Sequence, residues 1–287
     1  MDDDVLALVR RSAPKLSAAE TRVAERILDD PMLVVELAIT DLAELCGTSL
    51  STVARFAQSL GFSGYRELRV AVARSVTLAQ AQQARFGLDS TTISADDGPA
   101  TIAAKLAAQQ IDAIERTAHG LDAATLDRAA RALVEARHID LFGQAASSLA
   151  AQDLQLKLSR IGSAVSHSAD PHLALTAAAL RTSDDVAVAF SHSGETVETL
   201  RALEVARDAG ALTVAVTGVA DSSLARTAEL VLLTHAYESP FRMAAMSSRI
   251  AQLALVDVLF VRVVQHRGEP VSIPLRLTHD AAVHHRR

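Results

Sequence analysis

The sequence of 287 residues contains a single cysteine, Cys46, and lacks an apolar run long enough to cross a membrane. One cysteine excludes an internal disulfide. Asp257 and Arg262 interrupt the apolar stretch from Leu253 to Val264, so it falls short of the roughly 20 residues that a membrane span needs. No stretch has the basic start, apolar centre and small-residue cleavage site of a secretory signal. We expect a soluble, cytoplasmic protein without membrane contact.

Signatures of metal and nucleotide sites are also missing. The histidines are scattered, without carboxylate or thiol partners at ligand spacing. Neither a Gly-x-Gly-x-x-Gly dinucleotide motif nor a Walker phosphate loop is present. We therefore expect no metal and no cofactor.

The chain has no excess of positive charge, since its formal net charge is -6. A non-specific grip on nucleic acid relies on surplus lysine and arginine. The local charge balance is different in residues 49–74. This segment has one acidic residue, Glu67, and four arginines: Arg55, Arg66, Arg69 and Arg74. Such a concentration fits a DNA binder that depends on a docked helix and on dimer geometry.

The pattern along the chain predicts two domains. Helical periodicity fills residues 5–80, and a linker-like composition ends in Asp-Asp-Gly-Pro at 96–99. Beyond it, alternating β-like and helical runs predict a parallel sheet covered by helices on both faces. The predicted strands are His138–Phe142, Ser163–Ser166, Val186–Phe190, Leu212–Thr217 and Leu230–Thr234. We place the domains at 1–78 and 121–275, with a linker and connecting helix at 79–120 and a tail at 276–287.

Residues 39–58 predict two short helices separated by a tight turn at Gly47. Thr40 is the expected cap of the first helix, and Leu42 and Leu45 form its apolar side. The second helix has small and apolar residues at the spacing of one buried face: Val53, Ala57 and Leu60. Its opposite side and the following segment carry the predicted DNA contacts: Ser49, Ser51, Thr52, Arg55, Gln58, Tyr65 and Arg66.

An ordinary helical hairpin, with its polar side in water, has the same spacing. The segment Gly61-Phe62-Ser63-Gly64-Tyr65 follows directly and places Arg66 and Arg69 where DNA phosphates would run, which favours DNA binding. A protein-docking module stays an alternative. We interpret Cys46 as core filling.

Two hydroxyl-rich stretches, 141–148 and 190–196, each end a predicted strand and begin a helix. Free backbone N–H groups and the positive end of the helix dipole bind anions at such places. Gly143 and Gly194 permit close backbone approach. With a strand order of 2-1-3-4-5, both loops open into the crevice at the topological switch point. Either stretch taken alone is also ordinary helix-cap composition.

On these motifs the sequence resembles the RpiR-type regulators, which join a helix-turn-helix domain to a sugar isomerase (SIS) domain. The resemblance runs from residues 16–20 to residues 247–260. It implies a multidomain fold, in which an all-α helix-turn-helix domain precedes an α/β SIS domain with a five-stranded parallel sheet flanked by helices. It also implies a regulator of sugar-metabolism genes, not an enzyme, whose DNA binding is controlled by a phosphorylated sugar.

The resemblance further implies the residues that bind the ligand. They are Gly143, Ser147, Ser191, His192, Ser193, Gly194, Thr196 and Glu238. The hydroxyls look like phosphate ligands, whereas Glu238 looks like the acidic residue that faces the sugar. Ala145 departs from the family pattern Gly-x-Gly-x-Ser, and its methyl group narrows the approach to the first loop.

The alternative function is a sugar-phosphate isomerase with an N-terminal interaction module. Such an enzyme needs a general base, for which Glu238, His192, His167 and His172 are candidates. The helix-turn-helix half argues against it, because an isomerase has no need of one.

A single recognition helix offers too little contact for specific binding. We therefore expect a homodimer or homotetramer on a roughly palindromic site in double-stranded DNA. The apolar helix from Met243 to Val264 is the candidate subunit contact.

Overall fold

The computed structural model describes residues 5–12, 16–88, 91–238 and 245–284. The chain divides into two compact units, Met1–Ala108 and Gln109–Arg287. In the part of the chain that is described, no helix is long and apolar enough to cross a bilayer.

The first unit is all helical. Its helices are α1 (Val5–Ser12), α2 (Ala18–Asp29), α3 (Met32–Glu36), α4 (Ile39–Leu45), α5 (Leu50–Ser59) and α6 (Tyr65–Phe86), and α7 (Pro99–His119) crosses the division. Ser17 and Glu20 form a capping box at the start of α2. The core is built around Phe56 of α5, which is fully buried with Ile27, Leu42 and Leu68.

Three details of the predicted helix pair are wrong. The cap of α4 is Ala38, two residues before the expected Thr40, so the Thr40 hydroxyl does not cap the helix and donates to the Asp41 carboxylate at 2.9 Å. Leu45, the last residue of α4, is 44% exposed because it lies outside the buried face to which Leu42 belongs. Thr52 is buried because it lies four residues before Phe56, on the inward face of α5.

Residues 91–98, which precede α7, are held against this helix by Lys105. The buried Lys105 ammonium donates to the carbonyl oxygen of Thr92 at 2.7 Å and to both carboxylate oxygens of Asp97 at 2.7 and 2.9 Å. The Asp97 carboxylate also accepts the backbone N–H of Ser94 at 2.7 Å. A set of ion-pair and backbone contacts therefore orders residues that the composition assigned to a linker.

The second unit contains the predicted five-stranded parallel sheet, and the strand order is β2-β1-β3-β4-β5. The strands are β1 (His138–Gly143), β2 (Val165–His167), β3 (Asp185–Phe190), β4 (Leu212–Thr217) and β5 (Leu230–Leu233). β2 starts later than predicted because the N–H of Ser163 still closes the preceding helix on the carbonyl oxygen of Leu158 at 3.1 Å.

Helices cover both faces of the sheet. They are α8 (Ala123–Glu135), α9 (Ala146–Arg160), α10 (Pro171–Ala178), α11 (Val197–Asp208), α12 (Ser223–Thr227), α13 (Met246–Arg267) and α14 (Ser272–His284). One core joins the sheet to α8, α9 and α13, and a second, rich in alanine, joins it to α10 and α11. The tail predicted from residue 276 is helical as far as His284, because Leu275 packs α14 against the first core.

Candidate functional site

The two hydroxyl-rich loops leave the sheet side by side. Gly143, the last residue of β1, is the register partner of Phe190, the last residue of β3. The loops 144–145 and 191–196 therefore begin at the same level of neighbouring strands. This is the crevice at the topological switch point of an open parallel sheet.

The first loop is tightly packed. A Cβ atom on Gly143 would lie 2.9 Å from the carbonyl oxygen of Ser147, so only glycine fits between β1 and the first turn of α9. Ala145 has φ 49° and ψ -122°, a conformation that favours glycine, and makes no side-chain cap at the start of α9. Ser147 is half-buried in the first turn of this helix.

A hydrogen-bonded chain that sequence reasoning missed lies behind the first loop. His167 Nδ1 lies 2.8 Å from the carbonyl oxygen of Leu141. The other ring nitrogen lies 3.0 Å from the hydroxyl of Ser148, which also accepts the Gln152 amide at 2.9 Å. The carbonyl makes Nδ1 the donor, so Nε2 accepts from Ser148. His167 thus holds the start of α9 against β1, which differs from the role of general base considered for it.

The second loop brings Ser191 and Thr196 together. Their hydroxyl oxygens are 3.0 Å apart, and Ser191 Oγ accepts the backbone N–H of Gly194 at 3.1 Å. Ser193 Oγ accepts the backbone N–H of Glu195 at 3.3 Å. Thr196 is the N-cap residue of α11, yet its side chain makes no hydrogen bond to the first turn. The N-terminus of α11 therefore has hydroxyls beside it that do not cap it.

Glycine is required at two points under this loop. Gly194 has φ 67°, and a Cβ atom there would lie 2.1 Å from Ser222 Oγ. A Cβ atom on Gly218 would lie 2.6 Å from His192 Nδ1. The carbonyl oxygen of His192 accepts the backbone N–H of Gly218 at 2.9 Å. The loop after β4 thus fixes the backbone of the second loop, and His192 has a structural place within it.

Two acidic residues are held by helix N-termini. The Glu195 carboxylate accepts the backbone N–H of Ser223 at 2.8 Å, and the hydrogen bonds from Ser223 lower the pKa of that carboxyl. Glu238 Oε1 accepts the backbone N–H of Ser248, in the first turn of α13, at 2.7 Å. Glu238 therefore lies where α13 begins, beyond the carboxyl end of β5.

The exposed stripe of α5 carries three of the predicted DNA contacts. Ser51, Arg55 and Gln58 are exposed, and their spacing places them along one side of the helix. Ser49, also exposed, caps α5 by accepting the backbone N–H of Thr52 at 3.3 Å. Arg55 is thus presented by a helix whose first turn is capped.

A backbone motif and Arg22 hold the turn before this helix, and a second such motif ends the helix. Gly47 and Gly61 have φ 58° and 91° and end α4 and α5, respectively. In each case the residue after the glycine donates its N–H to the third-last residue of the helix, as in a Schellman motif: Thr48 to Ala43 and Phe62 to Ala57. Arg22 of α2 donates to the carbonyl oxygens of Cys46 at 3.3 Å and Gly47 at 3.1 Å. Burial raises the pKa of the Cys46 thiol.

Two predicted DNA contacts are occupied within the unit. The buried Thr52 hydroxyl lies 2.9 Å from Ser49 Oγ. The Tyr65 phenol donates to the carbonyl oxygens of Val34 and Leu37 at 3.1 and 3.0 Å, and burial raises its pKa. Both side chains support the fold instead. Arg66 is exposed and lines a surface cavity of about 360 Å³ with Arg69, Val35, Val70 and Ala73.

Among the residues that the structure describes, no group of three histidine, cysteine, aspartate or glutamate side chains is arranged to hold a metal ion.

Two family models match the chain in agreement with these units. Residues 3–79 match the helix-turn-helix domain of the rpiR family, and residues 132–262 match the SIS domain. An HTH-type transcriptional regulator of Caldanaerobacter subterraneus is 39% identical over 93% of this chain and 93% of its own length. The chain belongs to the RpiR family of transcriptional regulators.

Other relatives align with this RpiR-family regulator over nearly its whole length. The HTH-type transcriptional regulator HexR of Pseudomonas aeruginosa is 33% identical over 98% of this chain and 96% of its own. The structure of Vibrio vulnificus NanR complexed with ManNAc-6P has a TM-score of 0.61 and 28% identity, and the alignment covers 97% of this chain and 98% of NanR. The relatives from Caldanaerobacter and Pseudomonas are HTH-type transcriptional regulators, and they give no support to the isomerase alternative.

Proposed function

We propose that this RpiR-family regulator binds a phosphorylated sugar at the carboxyl edge of the sheet in its second unit, and that the bound sugar changes its affinity for operator DNA. The observation that carries the proposal is the uncapped start of α11, which Ser191, Ser193 and Thr196 surround. A phosphate dianion accepts hydrogen bonds from such hydroxyls and from first-turn N–H groups, and the helix dipole favours its charge. The likeness to NanR, whose structure contains ManNAc-6P, supports a sugar phosphate.

We assign the remaining ligand contacts by position. Gly143 ends β1 and Ser147 lies in the first turn of α9, next to the second loop, and they offer further polar groups to the same crevice. The backbone of His192 and Gly194 shapes the second loop, and Glu238 at the start of α13 is placed for a sugar hydroxyl.

We assign DNA contact to α5 and the start of α6. Arg55 reads a base edge in the major groove, with Ser51 and Gln58 beside it, whereas Ser49 and Arg66 contact phosphates. One such helix gives too little specific contact, so the protein acts in the cytoplasm as a homodimer or homotetramer on a roughly palindromic operator. α13, which includes the described part of the predicted contact helix Met243–Val264, is the proposed subunit contact.

A two-step experiment tests this function. A thermal-shift screen of phosphorylated hexoses, pentoses, amino sugars and acid sugars first identifies ligands, because a compound that binds only the folded state raises the melting temperature. Fluorescence anisotropy with DNA from upstream of the protein's own gene then measures operator affinity with and without each hit. We expect at least one hit to change that affinity, and sedimentation of the same sample to show an even-numbered assembly. A regulator that binds the DNA but responds to no member of the panel would contradict the proposal.

A further inference from the structure

Two buried polar side chains near the carboxyl edge of the sheet lack hydrogen-bond partners. Thr234 and Gln252 are each 1% exposed, and neither Thr234 Oγ1 nor Gln252 Nε2 has a partner within the described residues. Burying such a donor costs free energy when it stays unpaired, so native proteins keep few of them. Each of these two groups therefore calls for a reason beyond the fold.

Strand alternation fixes the side of the sheet on which Thr234 lies. Leu230 and Leu232 of β5 point into the core that the sheet shares with α13, and Thr234 is the next residue in that row. The backbone N–H of Thr234 donates to the carbonyl oxygen of Thr217 at 2.9 Å and extends the strand pairing by one residue. The hydroxyl of Thr234 therefore lies at the carboxyl edge, on the α13 face.

Gln252 reaches the same face from the helix. Glu238 lies five residues after the end of β5 and binds the first turn of α13, so the N-terminus of this helix lies near the carboxyl edge of the sheet. The buried side of this helix is polar in its first turns, where Ser248 and Gln252 lie one turn apart, and apolar from Leu255 onward. Glu238 accepts the backbone N–H of Ser248 at this same end. Gln252 thus lies one turn below the carboxylate that we assign to the sugar.

We propose that Thr234 and Gln252 contact the sugar portion of the ligand and determine which sugar the protein binds. The proposal rests on the proposed function and deepens it. β5 is two strands from β3, about 10 Å across the sheet, a separation that suits a phosphorylated sugar and exceeds the size of a phosphate ion. Sugar hydroxyl and carbonyl oxygens accept the two N–H groups of a glutamine amide, and a threonine hydroxyl either donates or accepts. A binding site whose buried polar groups pair with a ligand hydroxyl rejects ligands that lack this hydroxyl, because the groups of the site then stay unpaired.

The unpaired state of both groups gives a test in which stability and affinity change in opposite directions. Thr234→Val and Gln252→Met remove an unsatisfied buried group and keep most of its volume. We expect each variant to melt at a higher temperature than the wild type without ligand, and to bind the sugar phosphate about tenfold more weakly. A polar group that only supported the fold would lower the melting temperature when removed.

Thr213 provides the matched control. It is a fully buried threonine in β4, but its hydroxyl accepts the backbone N–H of Glu229 at 3.1 Å. We expect Thr213→Val to melt at a lower temperature and to keep the wild-type affinity for the sugar phosphate. The conservative change Thr234→Ser, which retains the hydroxyl, should also keep that affinity.

Calorimetry with the best member of the sugar-phosphate panel and with inorganic phosphate separates the possible failures. We expect Thr234→Val and Gln252→Met to bind inorganic phosphate as the wild type does. Unchanged sugar-phosphate affinity in both variants, or equal weakening toward inorganic phosphate, would overturn this inference and leave the proposed function standing. A wild-type protein that binds no sugar phosphate would remove both.

Discussion

The starts of α5 and α11 are similar in sequence but differ in what their hydroxyls do. Ser49, Ser51 and Thr52 surround the start of α5, and Ser49 caps that helix. Ser191, Ser193 and Thr196 surround the start of α11, where the N-cap side chain makes no bond to the helix. A cluster of serine and threonine before a helix is therefore not itself a sign of a ligand. The distinguishing observation is whether the cluster caps the helix.

The largest effect expected from this difference is on ligand affinity. A phosphate at α11 would accept charge-assisted hydrogen bonds from the second loop, each worth about 1.5 to 3 kcal/mol when shielded from water. We predict that Ser191→Ala combined with Ser193→Ala weakens sugar-phosphate binding at least about a hundredfold, on the order of 3 kcal/mol. Calorimetry measures the affinity, and unchanged operator binding shows that the first unit is intact. Wild-type ligand affinity in the double variant would refute the phosphate assignment.

A smaller effect is expected at the exposed side of α5. If Arg55 pairs with a base edge, Arg55→Ala should weaken operator binding by about 1 to 3 kcal/mol and leave ligand binding unchanged. Arg201→Ala removes a positive charge that is also exposed, from α11 in the other unit, and should change operator affinity far less. Anisotropy titrations at a fixed salt concentration compare the two variants. Equal operator affinities for the wild type and Arg55→Ala would exclude Arg55 from the interface.

The smallest effect is expected on stability, and it separates a cap from a ligand group. Ser49→Ala removes a cap and should lower the free energy of unfolding by about 1 kcal/mol whether or not a sugar phosphate is present. Thr196→Ala should cost about 1 kcal/mol or less without ligand, and more when a sugar phosphate is added, because the variant gains less from binding. Chemical denaturation with and without ligand measures both. The idea fails if the added ligand leaves the Thr196→Ala difference unchanged.

Sequence patterns predicted the regular parts of this molecule well, for local reasons. The apolar runs of the five strands and the Ser17 capping box depend on neighbours a few residues away. Thr52 was predicted to lie on the exposed side of α5 but is buried, because a residue at the boundary of a helix face is buried or exposed according to what packs beside it. The hydrogen bonds of the Tyr65 phenol within the fold were not foreseen, because its partners, Val34 and Leu37, are distant in the sequence.

Some missed site residues did leave a signal. Leu230, Leu232 and Thr234 alternate along β5, so the polar residue in an inward-facing row was visible before the fold was known. Gln252 similarly interrupts the inward face of an apolar helix. The contact of His167 with Ser148 left no such signal, because it depends on how α9 packs against β2.

The Lys105 contacts bear on the span of residues 91–98, which precede α7. A flexible coil would give this segment a broad distribution of end-to-end distances, so that adding residues would change the span only slowly. Residues 91–98 are instead tied to α7 through Thr92 and Asp97, and their span is set by contacts rather than by chain statistics. Residues 91–98 therefore form a spacer of defined length. Inserting one residue into it would displace one of these oxygens from the ammonium group instead of lengthening a tether.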